Sequence, residues 1–134
     1  MTNPKKKIES ALAPNAIGPY SQAIRVGNHL FCSGQIAFDN KTNQMVEPDI
    51  RKQTRQVLAN LNAVLEAAGT KPDNILKTTV FLTNLENFVP FNEEYETFFK
   101  AAGSAPFPAR STIEVSKLPR ASMVEIEAIV WVDG

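Results

Sequence analysis

One histidine, His29, and one cysteine, Cys32, are all that this chain offers of the side chains that build zinc sites, so no Cys/His metal centre can be assembled within one chain. A Ser-His-Asp triad would have to use that histidine, and no Gly-x-Ser-x-Gly elbow accompanies it. Glycine is scarce too. Its six residues form no Gly-x-Gly-x-x-Gly and no Walker-type loop, so a nucleotide cofactor has no recognisable cradle. No apolar run approaches a membrane span or a signal-peptide core, which predicts a soluble chain that does not leave the cell by that route. Neither sign of charge dominates. With 14 basic and 14 acidic side chains, the footprint of a dedicated nucleic-acid binder is missing. The one basic run, Lys5-Lys6-Lys7, reads as a solubilising tail within a flexible terminus over residues 1–12. A single unpaired cysteine fits a reducing compartment, the cytoplasm. What remains is chemistry without metal or cofactor.

What is present suits one domain over residues 1–134, with 43% apolar content and a sizeable core. Residues 49–68 place Ile50, Val57, Leu58, Leu61, Val64, Leu65 and Ala68 on a stripe of helical period, with Gly69 as the stop. A second helix carries Phe88, Phe91, Tyr95, Phe98 and Phe99 as its core stripe, Pro90 in its first turn and Gly103 at its close. Strands are predicted over 20–26 and 30–37, around a Gly27-Asn28 turn, and then over 75–83, 110–116 and 123–132. The order β-β-α-β-α-β-β implies an α+β fold, a single mixed sheet with both helices on one face. The other face carries apolar residues and needs a cover, for which self-association is the economical answer.

Chemistry concentrates near the C-terminus. If the last two strands pair as a hairpin, alternation puts Arg110, Thr112 and Glu114 on the helix-free face beside Glu125 and Glu127, with Ile113 and Val115 toward the helices. A guanidinium and a carboxylate would then converge on one surface, able to hold a small anion and a water. On residue types alone, a structural ion pair of Arg110 with Glu114, Glu125 or Glu127 stands equally open. Glu127 reads as structural, His29 as a solvated residue beside a turn, and Cys32 as a strand residue.

Five segments resemble one family closely: Ala16-Ile17-Gly18-Pro19-Tyr20-Ser21-Gln22-Ala23, Ser33-Gly34-Gln35-Ile36, Lys77-Thr78-Thr79-Val80-Phe81-Leu82, Pro108-Ala109-Arg110-Ser111 and Val124-Glu125-Ile126-Glu127. They are similar to the signature segments of the reactive-intermediate deaminases (RidA/YjgF), in register from about residue 13 onward. The resemblance implies a chorismate-mutase-like homotrimer with clefts between neighbouring subunits and no cofactor. It also implies hydrolysis of 2-iminoacids, such as 2-iminopropanoate and 2-iminobutanoate, to 2-oxoacids and ammonia. By position, the carboxylate-binding arginine falls on Arg110 and the water-positioning glutamate on Glu125. Tyr20, Ser33 and Asn92 fall on cleft-lining positions, and the main chain at Gly34 and Thr112 on hydrogen-bonding ones. Several relatives have cysteine where this chain has Thr112. Two alternatives come with the family: a regulatory module that binds ligand in the same cleft without turnover, and an endoribonuclease or translation inhibitor. Retained Arg110 and Glu125 favour catalysis, and neutral charge weighs against RNA.

Overall fold

A computed structural model describes residues 3–134. Helix α1 (Ile50–Ala67) begins at Asp49, whose carboxylate accepts the Lys52 backbone N–H at 2.9 Å, and ends where Gly69 turns to φ 76. Helix α2 (Phe88–Ala101) holds Pro90 in its first turn, where no helical N–H is required, and stops before Gly103 at φ 71. Arg51 and Arg55 of α1 tie the two together through Glu94 of α2, Arg51 at 3.0 Å and Arg55 at 2.6 Å.

The described residues also form eight strands: β1 (Lys6–Ile8), β2 (Ala23–Val26), β3 (His29–Gln35), β4 (Phe38–Asp39), β5 (Gln44–Met45), β6 (Ile75–Leu82), β7 (Ala109–Glu114) and β8 (Val124–Trp131). Strands β4 and β5 form a small ribbon; the other six make one mixed sheet in the order β1-β2-β3-β8-β6-β7. The expected α+β sheet with two helices is therefore the fold. Leu30, Val80, Leu82, Val124, Ile126 and Val130 point from the sheet into the helix layer and are fully buried. On the opposite face Phe31, Ile113 and Trp131 remain 47%, 44% and 38% exposed, so that face is partly apolar and uncovered.

Two expectations are corrected. The last two strands do not form a hairpin: β6 lies between them, antiparallel to β8 and parallel to β7, with α2 as the crossover. Strand β6 is apolar on both faces, the composition of a central strand that takes a partner on each side. The terminus over 1–12 is not wholly loose either. Lys6–Ile8 pairs with β2 through Lys6↔Arg25 and Ile8↔Ala23, so the lysines decorate a sheet edge, where charge discourages further pairing. Residues 1 and 2 lie outside the described residues. Among the described residues no helix is long and apolar enough to cross a membrane.

Candidate active site

The carboxylate half of the site is built on a β-bulge. Cys32 pairs with Ala128 and Gln35 with Ile126, leaving Ser33 and Gly34 together opposite Glu127. With no Cβ at Gly34, the Glu125 side chain lies directly against this stretch of β3. A methyl group there would stand 2.7 Å from Glu125 Cδ and 2.9 Å from Cγ. Glu125 is half-buried on the open face of the sheet. Burial, and secondly the neighbouring Glu127 charge, hold its carboxyl above the ordinary carboxylate range. The Ser33 hydroxyl donates to the Ser21 carbonyl at 2.6 Å, and its backbone N–H donates to Gln22 at 3.0 Å. That fixes the loop carrying Tyr20, which is 55% exposed and shares a cavity of about 300 Å³ with Gly34 and Pro119.

The cation half lies elsewhere. In the parallel register Arg110 sits beside Thr78, which is fully buried, so Arg110 turns under α2 rather than onto the open face. This reverses the expected phase of β7: Arg110 and Thr112 share the helix side, and Ile113 is the exposed residue on the open face. Alternation pointed the wrong way because the more apolar phase of β7, with Ile113, stands on the uncovered open face, while the polar phase lies under α2. The guanidinium donates from Nη1 to Asn92 Oδ1 at 2.8 Å, and its carbon lies 4.8 Å from the centre of the Tyr95 ring. The Phe88 and Phe91 ring centres are 5.5 and 5.9 Å away. None of the ion pairs among the described residues involves Arg110. The structural ion-pair alternative is therefore not what forms. Glu114 instead accepts the Leu85 backbone N–H at 2.9 Å, and Glu125 and Glu127 face the other way. Arg110, Asn92, Tyr95 and Phe107 line a cleft of about 420 Å³. The Thr112 hydroxyl is buried without a partner.

The candidate residues of one chain thus fall into two groups on opposite faces of its sheet. Tyr20, Ser33, Gly34 and Glu125 gather around the β3 bulge, while Asn92, Arg110 and Thr112 gather around β7 and α2. The aromatic surround of Arg110 escaped sequence reasoning because Phe88, Phe91 and Tyr95 were assigned to the core. The spacing of Phe88 and Tyr95 around Asn92, four residues before it and three after, was the available signal, since residues three and four apart share a helix face. Other reactive groups are not poised. Burial pushes the Cys32 thiol up to about 12. His29 packs edge-on against Trp131 at 5.7 Å. Among the described residues, no three of His, Cys, Asp and Glu cluster to hold a metal ion.

Residues 10–132 match the family model described as endoribonuclease L-PSP. The chain is 44% identical over 131 residues to the 2-iminobutanoate/2-iminopropanoate deaminase of Dermatophagoides farinae, covering 98% of this chain and 99% of that protein. It is 48% identical over 124 residues to the protein of the same name from Escherichia coli, covering 92% and 95%. Among solved structures, the Rid-family protein YyfA from Yersinia pestis superposes with a TM-score of 0.91 at 53% identity, covering 96% of this chain and 99% of that one. The E. coli protein TdcF with bound serine superposes with a TM-score of 0.92 at 41% identity, covering 96% and 100%.

Proposed function

The chain belongs to the endoribonuclease L-PSP family, which includes the reactive-intermediate deaminases, and we propose that it hydrolyses 2-iminoacids to 2-oxoacids and ammonia. The observation that carries this reading is the state of Arg110: a part-buried guanidinium held by an amide oxygen and aromatic faces, with no carboxylate bound to it. Such a cation has N–H donors left over for the carboxylate of an incoming 2-iminoacid, in a charge-assisted and ideally bidentate grip.

The complementary need is a base for water. Glu125, its proton affinity raised by burial and by the neighbouring Glu127 charge, is a stronger base toward water than an ordinary carboxylate. In the reaction, water oxygen bonds to the protonated imine carbon as Glu125 accepts the water proton, giving a carbinolamine. The nitrogen is then protonated, the C–N bond breaks with its electron pair leaving on ammonia, and the oxygen loses its proton to become the 2-oxo group. No covalent nucleophile is required, since the imine carbon is already electrophilic.

Arg110 and Glu125 stand on opposite faces of one sheet, so this chemistry asks for two copies. We take the assembly to be a homotrimer in which Arg110, Asn92 and Thr112 of one subunit meet Glu125, Gly34, Ser33 and Tyr20 of the next. The exposed apolar face supports that reading, as does the separation of the half-sites. The free, buried Cys32 thiol supports the cytoplasm as its compartment. The test couples the purified protein to a threonine dehydratase or an amino-acid oxidase and follows loss of the released imine. Imine decay no faster than in buffer, with the protein folded and assembled, would reject the function.

A further inference from the structure

A positive charge withdrawn partly from water normally acquires a carboxylate partner, and the carboxylates near Arg110 are all engaged elsewhere. Glu96, which lines the same cleft, binds Lys100 at 2.6 Å, and Glu94 binds Arg51 and Arg55. What lies against the guanidinium instead is the face of Tyr95, the nearest of three rings. Tyr95 is only 5% exposed, and its hydroxyl meets that of the fully buried Thr78 at 2.6 Å. Thr78 is in turn the residue paired with Arg110 across the β6–β7 register. Strand, tyrosine and arginine therefore close a small loop of contacts: Thr78 pins the ring, the ring supports the guanidinium from one side, and Asn92 fixes its Nη1.

We propose that Tyr95, anchored by Thr78, is a positioning residue that holds Arg110 charged and correctly aimed without neutralising it. A carboxylate in its place would also orient the arginine, but the substrate would then have to displace a bound anion. An aromatic face attracts the cation through its quadrupole and leaves the edge of the guanidinium, where the N–H donors lie, open. Burial pushes the phenol up from its ordinary value, so it stays neutral and brings no charge of its own.

The proposal rests on the 2-iminoacid reading of the cleft, and its test separates the two. Binding of 2-oxobutyrate is measured by calorimetry, and kcat and KM are measured on enzymatically released 2-iminobutyrate. Tyr95→Leu is expected to weaken 2-oxobutyrate binding about tenfold and to raise KM similarly, with a much smaller fall in kcat, because the carboxylate grip is common to ground and transition states. Tyr95→Phe keeps the ring and should weaken binding by no more than about twofold, while its melting temperature falls because Thr78 loses its partner; adding Thr78→Val should restore the melting temperature without moving the affinity. A tyrosine that served only the fold would make affinity and stability fall and recover together, and that result would overturn the proposal. Should Tyr95→Leu not fold, Phe88→Leu removes a more exposed ring of the same seat, and a loss of about twofold to threefold is expected at an unchanged melting temperature. Parental affinity in folded Tyr95→Leu, or in Phe88→Leu where only that variant folds, would overturn it as well. A parental protein that binds 2-oxobutyrate but hydrolyses no imine would instead defeat the deaminase reading and leave the seat standing.

Discussion

Replacing Gly34 by alanine tests whether the position of Glu125 matters, without touching Glu125 itself. The added methyl would overlap Oε2 and stand 2.7 Å from Cδ and 2.9 Å from Cγ, far inside van der Waals contact. Something must move, and the far end of a glutamate side chain moves more cheaply than the β3 backbone. Gly34 is not among the residues with positive φ, so alanine meets no backbone strain there. Restricting the unfolded chain should stabilise the protein by about 0.4–1 kcal/mol, so the melting temperature should hold or rise slightly. Turnover should not hold. A displaced Glu125 can no longer align water, and proton-transfer assistance of this kind is worth about 10²–10⁴-fold. The assay is kcat/KM on 2-iminobutyrate released by a coupled dehydratase, for Gly34→Ala, Glu125→Gln and the double variant. If both single changes act through the same carboxylate, the double variant should sit near the floor of Glu125→Gln alone. Parental kcat/KM in Gly34→Ala, or losses that multiply in the double variant, would refute the reasoning.

Other consequences can be checked in parallel. Arg110→Ala should abolish 2-oxoacid binding, by about a hundredfold or more for two lost charge-assisted bonds, yet leave the melting temperature nearly unchanged, because no buried carboxylate loses a partner; calorimetry and thermal melts decide. Arg110→Lys keeps the charge but loses the planar fork, so kinetics should find it badly impaired. Glu125 has a raised folded-state value, so its contribution to stability is present below the unfolded carboxylate value of about 4.3 and is lost as pH rises through the folded one; melts of Glu125→Gln against the parent should show a stabilisation that grows as pH rises above about 4 and levels off once the folded carboxyl is ionised. Phe31→Glu puts a charge on the uncovered face and should shift sedimentation toward monomer with loss of turnover; an active monomer would count against an intersubunit cleft. Chelator treatment should leave imine hydrolysis unchanged, and activity restored by one particular metal would contradict the cofactor-free mechanism.

Much of the fold was legible because its signals are local. Both helices announce themselves through apolar period and glycine stops, and the Gly27-Asn28 turn joins β2 to β3 as expected, with Val26 paired to His29 and Gly27 at φ 59. The failures are non-local. Neighbouring strands in sequence invite a hairpin, but a crossover helix lets β7 add in parallel at the far edge, and nothing within residues 109–132 encodes that choice. The wrong phase for β7 followed from the same blindness, since Ile113 reads as an inward residue in sequence and only the assembled sheet shows that its apolar side is the uncovered one. Strand β1 was hidden by its lysines, which look like a tail in sequence and serve as edge protection in the sheet. Gly34 was identified only through the family resemblance. Its physical reason, room for a carboxylate against a bulge, is visible only in three dimensions.

The corrected placement of Arg110 makes better chemical sense than the expected one. Had Arg110 faced Glu125 across adjacent strands of one chain, the two would have formed an ion pair. At about 4 Å, in the effective dielectric near a protein surface, that attraction is on the order of 4 kcal/mol before desolvation. Such a pair would oppose both steps of the reaction, because the arginine would already hold an anion and the glutamate would be a weaker base. Setting them on opposite faces keeps each in its working state by separate means. Aromatic rings and an amide hold the cation. A half-buried strand position beside a second glutamate keeps the carboxyl prone to take a proton. In the proposed trimer the two would meet across a subunit boundary, with the substrate between them: its carboxylate on Arg110 and its imine carbon toward the water on Glu125. In that arrangement substrate and water would fill the space where a direct ion pair would otherwise close, so assembly would complete the site without neutralising it.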